Sequence, residues 1–199
     1  MQLHNEINTS SGDGTYTSSR EVKESKEGIK VRTYGDAYMG YYYFQKDGDK
    51  VKVVRMKNAG EMINPTDGYQ GAEQKLSKAL YTVAWNYETE SPTLLNLDKV
   101  SLINPILEIH RDEDLGPVGD YDFRLTFDNK KQATEKYSVT RFDKTDLTDE
   151  QKKALEEFVS RVDLEAYIDG GELMKDGAAK ADPTDEAPSE DDDDPAKDF

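Results

Sequence analysis

Apolar and polar positions alternate from 29 to 34, Ile29-Lys30-Val31-Arg32-Thr33-Tyr34, the two-residue period of a half-buried strand. β-Rich runs over 37–45 and 50–57 flank Asp47-Gly48, and an Asp-Gly step between such runs predicts a hairpin. A loop bearing Pro, Gly and Asn covers 58–71. After it, Ala72, Leu76, Ala79, Leu80, Val83 and Tyr87 recur at helical spacing and predict a helix with one buried stripe. Trp85, the only Trp, falls near Tyr81 on a flanking face and reads as packing at the stripe's edge, with base stacking as the alternative. Further strands are predicted at about 100–110, 121–127 and 135–142, the middle one from the clean alternation of Tyr121-Asp122-Phe123-Arg124-Leu125-Thr126-Phe127. A last helix opens on Thr148-Asp149-Glu150-Gln151, a capping box in which the first and last side chains satisfy each other's free backbone donors. Leu155, Phe158, Val159 and Val162 form its core stripe, and Gly170-Gly171 is its expected stop.

These elements divide the chain into an arm over 1–27, a single domain over 28–174 and a disordered acidic tail over 175–199. The arm is rich in Ser, Thr, Asn, Gly and charge, and the tail in Ala, Pro, Ser, Asp and Glu; neither composition builds a core. The expected fold class is α+β, mainly antiparallel. The order strand-strand-strand-helix-strand-strand is that of an OB-fold-like barrel, here with an added strand and a C-terminal helix. Other α+β folds share that order.

Charge narrows the function. The net charge is −16, which opposes passive adhesion to DNA or to anionic membranes. From Lys175 onward ten Asp and Glu face three Lys, so −7 sits in the tail and −9 remains on the rest. Any nucleic-acid surface is therefore a local patch. With no Cys there is no disulfide, thiolate ligand or Cys nucleophile, and a reducing interior is the expected compartment, the cytoplasm of a cell or of an infected host. No apolar run is long enough to cross a bilayer as a helix, and the N-terminus has no signal-peptide pattern.

The hairpin is the informative part of the body. With Asp47-Gly48 at the centre of the turn, Tyr43 lies opposite Lys52 and Tyr42 opposite Val53. Tyr41, Tyr43, Lys50 and Lys52 then share one face, and Arg55 and Lys57 extend the positive run. Rings beside cations suit a single strand: bases stack for roughly 1–3 kcal/mol each while the cations neutralise phosphates. The plainer reading of that face is an ordinary solvated sheet surface.

Enzyme chemistry finds little support. His4 and His110 are the only histidines, so a multi-His metal centre is not expected. The acidic run His110-Arg111-Asp112-Glu113-Asp114, with Asp120 and Asp122 nearby, could hold Mg²⁺ through oxygens but reads rather as an exposed acidic loop. Asp67 with Glu73 and Lys75 is a faint echo of metal-dependent nucleases that the predicted helix spoils. No catalytic residue, metal or cofactor is assigned.

The end of the chain, Ser189-Glu190-Asp191-Asp192-Asp193-Asp194-Pro195-Ala196-Lys197-Asp198-Phe199, resembles the C-terminus of bacterial and phage single-stranded DNA-binding proteins. Lys197 interrupts the acidic tip, and Pro195 stands away from Phe199. The resemblance covers about the last ten residues. It implies a non-sequence-specific single-stranded DNA-binding protein of replication or recombination, of viral origin. It also implies that Asp191, Asp192, Asp193, Asp194, Asp198 and Phe199 recruit partners such as a polymerase or a helicase. A terminal aromatic carrying its own carboxylate fits an apolar pocket rimmed by Arg or Lys. Self-association is open. The rival expectations are an acidic viral structural or assembly protein and a DNA-mimic inhibitor.

Overall fold

The computed structural model describes residues 16–47, 50–61, 76–115 and 117–175. Seven strands, β1 (Tyr16–Ser18), β2 (Ile29–Asp47), β3 (Lys50–Met56), β4 (Ser77–Asn86), β5 (Ser91–Leu97), β6 (Tyr121–Phe127) and β7 (Tyr137–Lys144), form one curled sheet. Four helices accompany them: α1 (Ser19–Glu24), α2 (Val100–Arg111), α3 (Asp149–Arg161) and α4 (Leu164–Ile168). The sheet order is β1-β5-β4-β2-β6-β7, with β3 also paired to β2. Only β1 and β5 run parallel, so the α+β, mainly antiparallel expectation describes the fold.

The sheet is organised by β2, 19 residues long. One edge pairs with β4 from Val31 to Tyr42. The other pairs with β6 over Ile29 to Arg32 and with β3 over Tyr41 to Asp47. What the alternation suggested as two strands is one strand interrupted by a bulge between Tyr34 and Ala37, where Gly35 takes φ 74°.

Both faces of the sheet carry helices. Leu102, Ile103 and Ile106 of α2, with Val22 of α1, pack on Val31, Leu80, Leu95 and Phe123. On the opposite face Leu155 and Phe158 of α3, with Tyr167 and Ile168 of α4, pack on Ala79, Tyr81, Val83 and Trp85.

This double covering overturns two expectations. Residues 77–86 form the central strand β4, not a helix. Because both faces of β4 are buried, apolar residues occupy odd and even positions alike, and part of that set imitates helical spacing. Conversely, 100–110 is helix α2, not a strand, and Leu102, Ile103 and Ile106 form its buried stripe despite Pro105 within it. The order strand-strand-strand-helix-strand-strand therefore does not hold.

Three smaller corrections follow. Residues 16–24, placed in the arm, form β1 and α1, whose Val22 is wholly buried and whose Ser18–Glu21 capping box closes the helix start. Strand β5 was not anticipated. The last helix does begin with the Thr148–Gln151 capping box, but it breaks at Val162, and α4 follows before Gly170. The remainder of the arm (1–15), residues 62–75 and the tail beyond 175 lie outside the described residues. So do the three residues of the nuclease-like set.

Gly28 turns the chain from α1 into β2 with φ 78°, and a Cβ there would stand 2.5 Å from the Leu125 carbonyl oxygen. The left-handed backbone and this clash both penalise Gly28→Ala, which should cost about 2 kcal/mol or more. A urea unfolding series reads the loss. An unchanged midpoint would contradict the close approach of β2 to β6.

Candidate nucleic-acid interface

The β2–β3 ladder closes on Asp47 opposite Lys50, so Asp47 belongs to the strand rather than to the centre of the turn. Every pair is displaced by two positions from the expected register: Tyr43 faces Val54, and Tyr41 faces Met56. Alternation still puts Tyr41, Tyr43, Lys50 and Lys52 on one face, but Arg55, opposite Tyr42, lies on the other. Tyr43 is only 4% exposed, so its ring offers no stacking surface. Tyr41 is half-buried with the Lys78 ammonium 6.0 Å from its ring, and Lys52 is exposed. The Lys50 side chain lies outside the described residues.

The remaining two cations have protein partners. The Arg55 guanidinium sits 4.2 Å over the Tyr167 ring of α4, and Lys57 approaches Glu165 at 3.6 Å. Tyr167 in turn meets Tyr81 edge-on. The short helix thus covers what the sequence suggested as an extension of the platform. Trp85 is buried under α3 and α4, as the packing reading has it.

A different part of the sheet is open. Helices α3 and α4 cover β4, β5 and the middle of β2 but stop short of β6 and β7, where 140–144 are all exposed. Strand pairing sets Lys30 of β2, Arg124 of β6 and Thr140 of β7 in one row on this face. Phe142 stands beside the row, 38% exposed. The Lys30 ammonium is 5.4 Å from the Phe142 ring centroid and the Arg124 guanidinium 5.9 Å. Thr126 and Ser138 join hydroxyls in the next row at 2.8 Å. Between Arg124 and Lys144 the chain holds six Lys and Arg against three Asp and Glu, a basic segment in an acidic protein. Here a ring is accessible, cations flank it, and among the described residues no helix intervenes.

The row rests on a buried ionic node. Arg32 is 2% exposed, and its Nε donates to Asp122 Oδ1 at 2.6 Å. Its Nη1 donates to the Thr145 carbonyl at 2.8 Å, and its Nη2 reaches the Thr145 hydroxyl. Asp122 also takes Lys30 Nζ at 2.7 Å and the Tyr87 hydroxyl at 2.8 Å. Burial alone would raise the Asp122 pKa, but the hydrogen bonds from Lys30, Tyr87 and Arg32 outweigh it and hold the carboxyl below its ordinary value. Burial and the bond to that carboxylate push the Tyr87 phenol up to about 12. Two cations therefore share one carboxylate, and the excess positive charge faces solvent at Lys30, 28% exposed.

The sequence signal for this site was thin. Alternation over 121–127 put Arg124 on the polar face, yet nothing in spacing brings Lys30 and Phe142 to its side. Among the described residues no group of three or more His, Asp or Glu is placed to hold a metal.

Asp122→Asn should cost about 3–5 kcal/mol, because it leaves Arg32 charged and buried without its counter-ion. Since the native pKa is lowered, the contribution of Asp122 is complete at neutral pH. It is lost as pH falls from the ordinary carboxylate range through the native value. Urea unfolding between neutral and acid pH should show that acid-limb loss shrink in the variant. Equal stability of variant and parent at neutral pH would refute the node's role.

No family model, curated protein or solved structure matches this chain.

Proposed function

We propose that this chain is a non-sequence-specific single-stranded DNA-binding protein of replication or recombination, gripping the strand on the open β2–β6–β7 face. The observation that supports this reading is Phe142, exposed on a helix-free stretch of sheet with Lys30 and Arg124 on its flanks. A base stacks on such a ring for about 1–3 kcal/mol, and the two cations neutralise adjoining phosphates. In a duplex the bases are stacked on one another and unavailable, so the face favours single strands. The reading does not depend on an OB barrel, and it moves the binding surface from the hairpin to the opposite end of β2.

Fluorescence anisotropy with oligo-dT and with duplex of equal length tests it. The single strand should bind more tightly, with affinity falling as salt rises. Phe142→Ala, at an exposed position, should keep the fold and weaken single-strand binding by about 1–3 kcal/mol. No binding to either form at low salt, with or without the tail, would shift the reading to an acidic structural protein or a DNA mimic.

The tail completes the proposal. Asp191 to Asp194, Asp198 and Phe199 dock a replication partner, the ring filling a pocket and the carboxylates meeting its basic rim. Removing 182–199 takes away nine carboxylate side chains and only Lys197, so single-strand affinity should rise, most at low salt. Deleting Phe199 alone should leave that affinity nearly unchanged yet release the partner. Pull-downs with the two proteins compare partner sets, and identical sets would reduce the tail to a solubilising segment.

A further inference from the structure

Lys30 and Arg124 are direct cross-strand partners on one face of the β2–β6 ladder. Like charges so placed repel, and the ladder gains from anything negative between them. Lys30 already leans on Asp122, but that carboxylate is shared with Arg32, so it does not neutralise the row.

Arg124 has no such neighbour. Among the described residues no carboxylate lies within ion-pair reach of it and no acceptor takes its side-chain donors, and its guanidinium stands beside the Phe142 ring. Its Nε is sealed from solvent and finds no acceptor, whereas its terminal nitrogens are not sealed. Arg32, two residues along in the adjoining strand, makes the contrast: Asp122, Thr145 and Gly119 take up its donors. One arginine of the pair is structural, and the other holds a fork of donors with nothing to donate to. That fork matches two oxygens of a tetrahedral oxyanion. Thr140, exposed and directly opposite Arg124 in the β6–β7 ladder, adds a hydroxyl. Glu88 accepts from the Lys30 backbone N–H at 3.4 Å.

We propose that Lys30, Arg124 and Thr140 form a seat for one phosphate-type oxyanion beside Phe142. The proposal rests on the single-strand reading only for the source of that anion, a phosphodiester whose attached base meets the ring. The seat accounts for the unpaired terminal nitrogens of Arg124, the facing cations and the exposed ring together.

The test uses the full chain with ¹⁵N-arginine and follows the Nε–H signals by NMR, Arg124 being assigned through Arg124→Lys. Inorganic phosphate is titrated against chloride at matched ionic strength. A saturable shift of the Arg124 signal, absent from Arg32, is the expected result, and Lys30→Gln should weaken phosphate binding about tenfold. No saturable shift, or one equal at every arginine, would overturn the seat. Oligo-dT is then added to the phosphate-saturated protein. Displacement of phosphate at Arg124 supports both proposals. A phosphate-specific shift with no oligo-dT binding by anisotropy keeps the seat and ends the single-strand reading. Oligo-dT binding, seen by anisotropy, that leaves the phosphate-shifted Arg124 signal in place keeps the seat, leaves that reading standing and overturns the phosphodiester as its occupant.

Discussion

Strand β2 runs for 19 residues and takes partner strands on both of its edges, and the architecture follows from how it shares them. β4 lines one edge from Val31 to Tyr42, while β6 and β3 take the two ends of the other, over Ile29 to Arg32 and Tyr41 to Asp47. The neighbouring strand β4, held between β5 and β2, buries side chains on both faces, so apolar cover is needed above and below. α1 and α2 supply it on one side, α3 and α4 on the other. These helices are short and few, and their cover does not reach the whole sheet. The uncovered remainder, around β6 and β7, holds the exposed ring and the cations on which the functional proposal stands.

The junction between covered and open sheet is held by charge rather than by oil. Arg32 and Asp122 tie β2 to β6, and Thr145 brings in the chain that leads to α3. Desolvating such a pair is expensive, and hydrogen bonds to nearly every donor offset much of that cost. The node also fixes a direction: Arg32 is sealed inside, and Lys30 carries the surplus charge outward over Tyr87 and Phe142. Stability and surface electrostatics at this end of the sheet thus share one carboxylate.

At the other end of β2 the same residue types have a different fate. Tyr43 is buried on one face of the hairpin, and on the other Arg55 stacks on Tyr167 and Lys57 pairs with Glu165, so these two cations are engaged by α4. An aromatic–basic pattern acquires a binding role only where nothing else in the fold covers it. That condition is met at Phe142.

Much of the local structure was legible because short-range chemistry governs it. The Thr148–Gln151 capping box, the alternation that makes β6 and the facing sets in the hairpin depend on residues within a few positions of each other. The acidic character of the chain and of its tail is likewise a matter of residue counts. Tertiary structure decided the rest. Whether 77–86 is a strand or a helix depended on cover from both sides, which erases the alternation that marks a one-sided strand. The stripe of α2 was readable as either period in so short an apolar run. The row Lys30–Arg124–Thr140 joins residues 94 and 16 positions apart in sequence through two strand registers. Register is set by long-range pairing and burial, so no pattern along the chain could place those three side chains together.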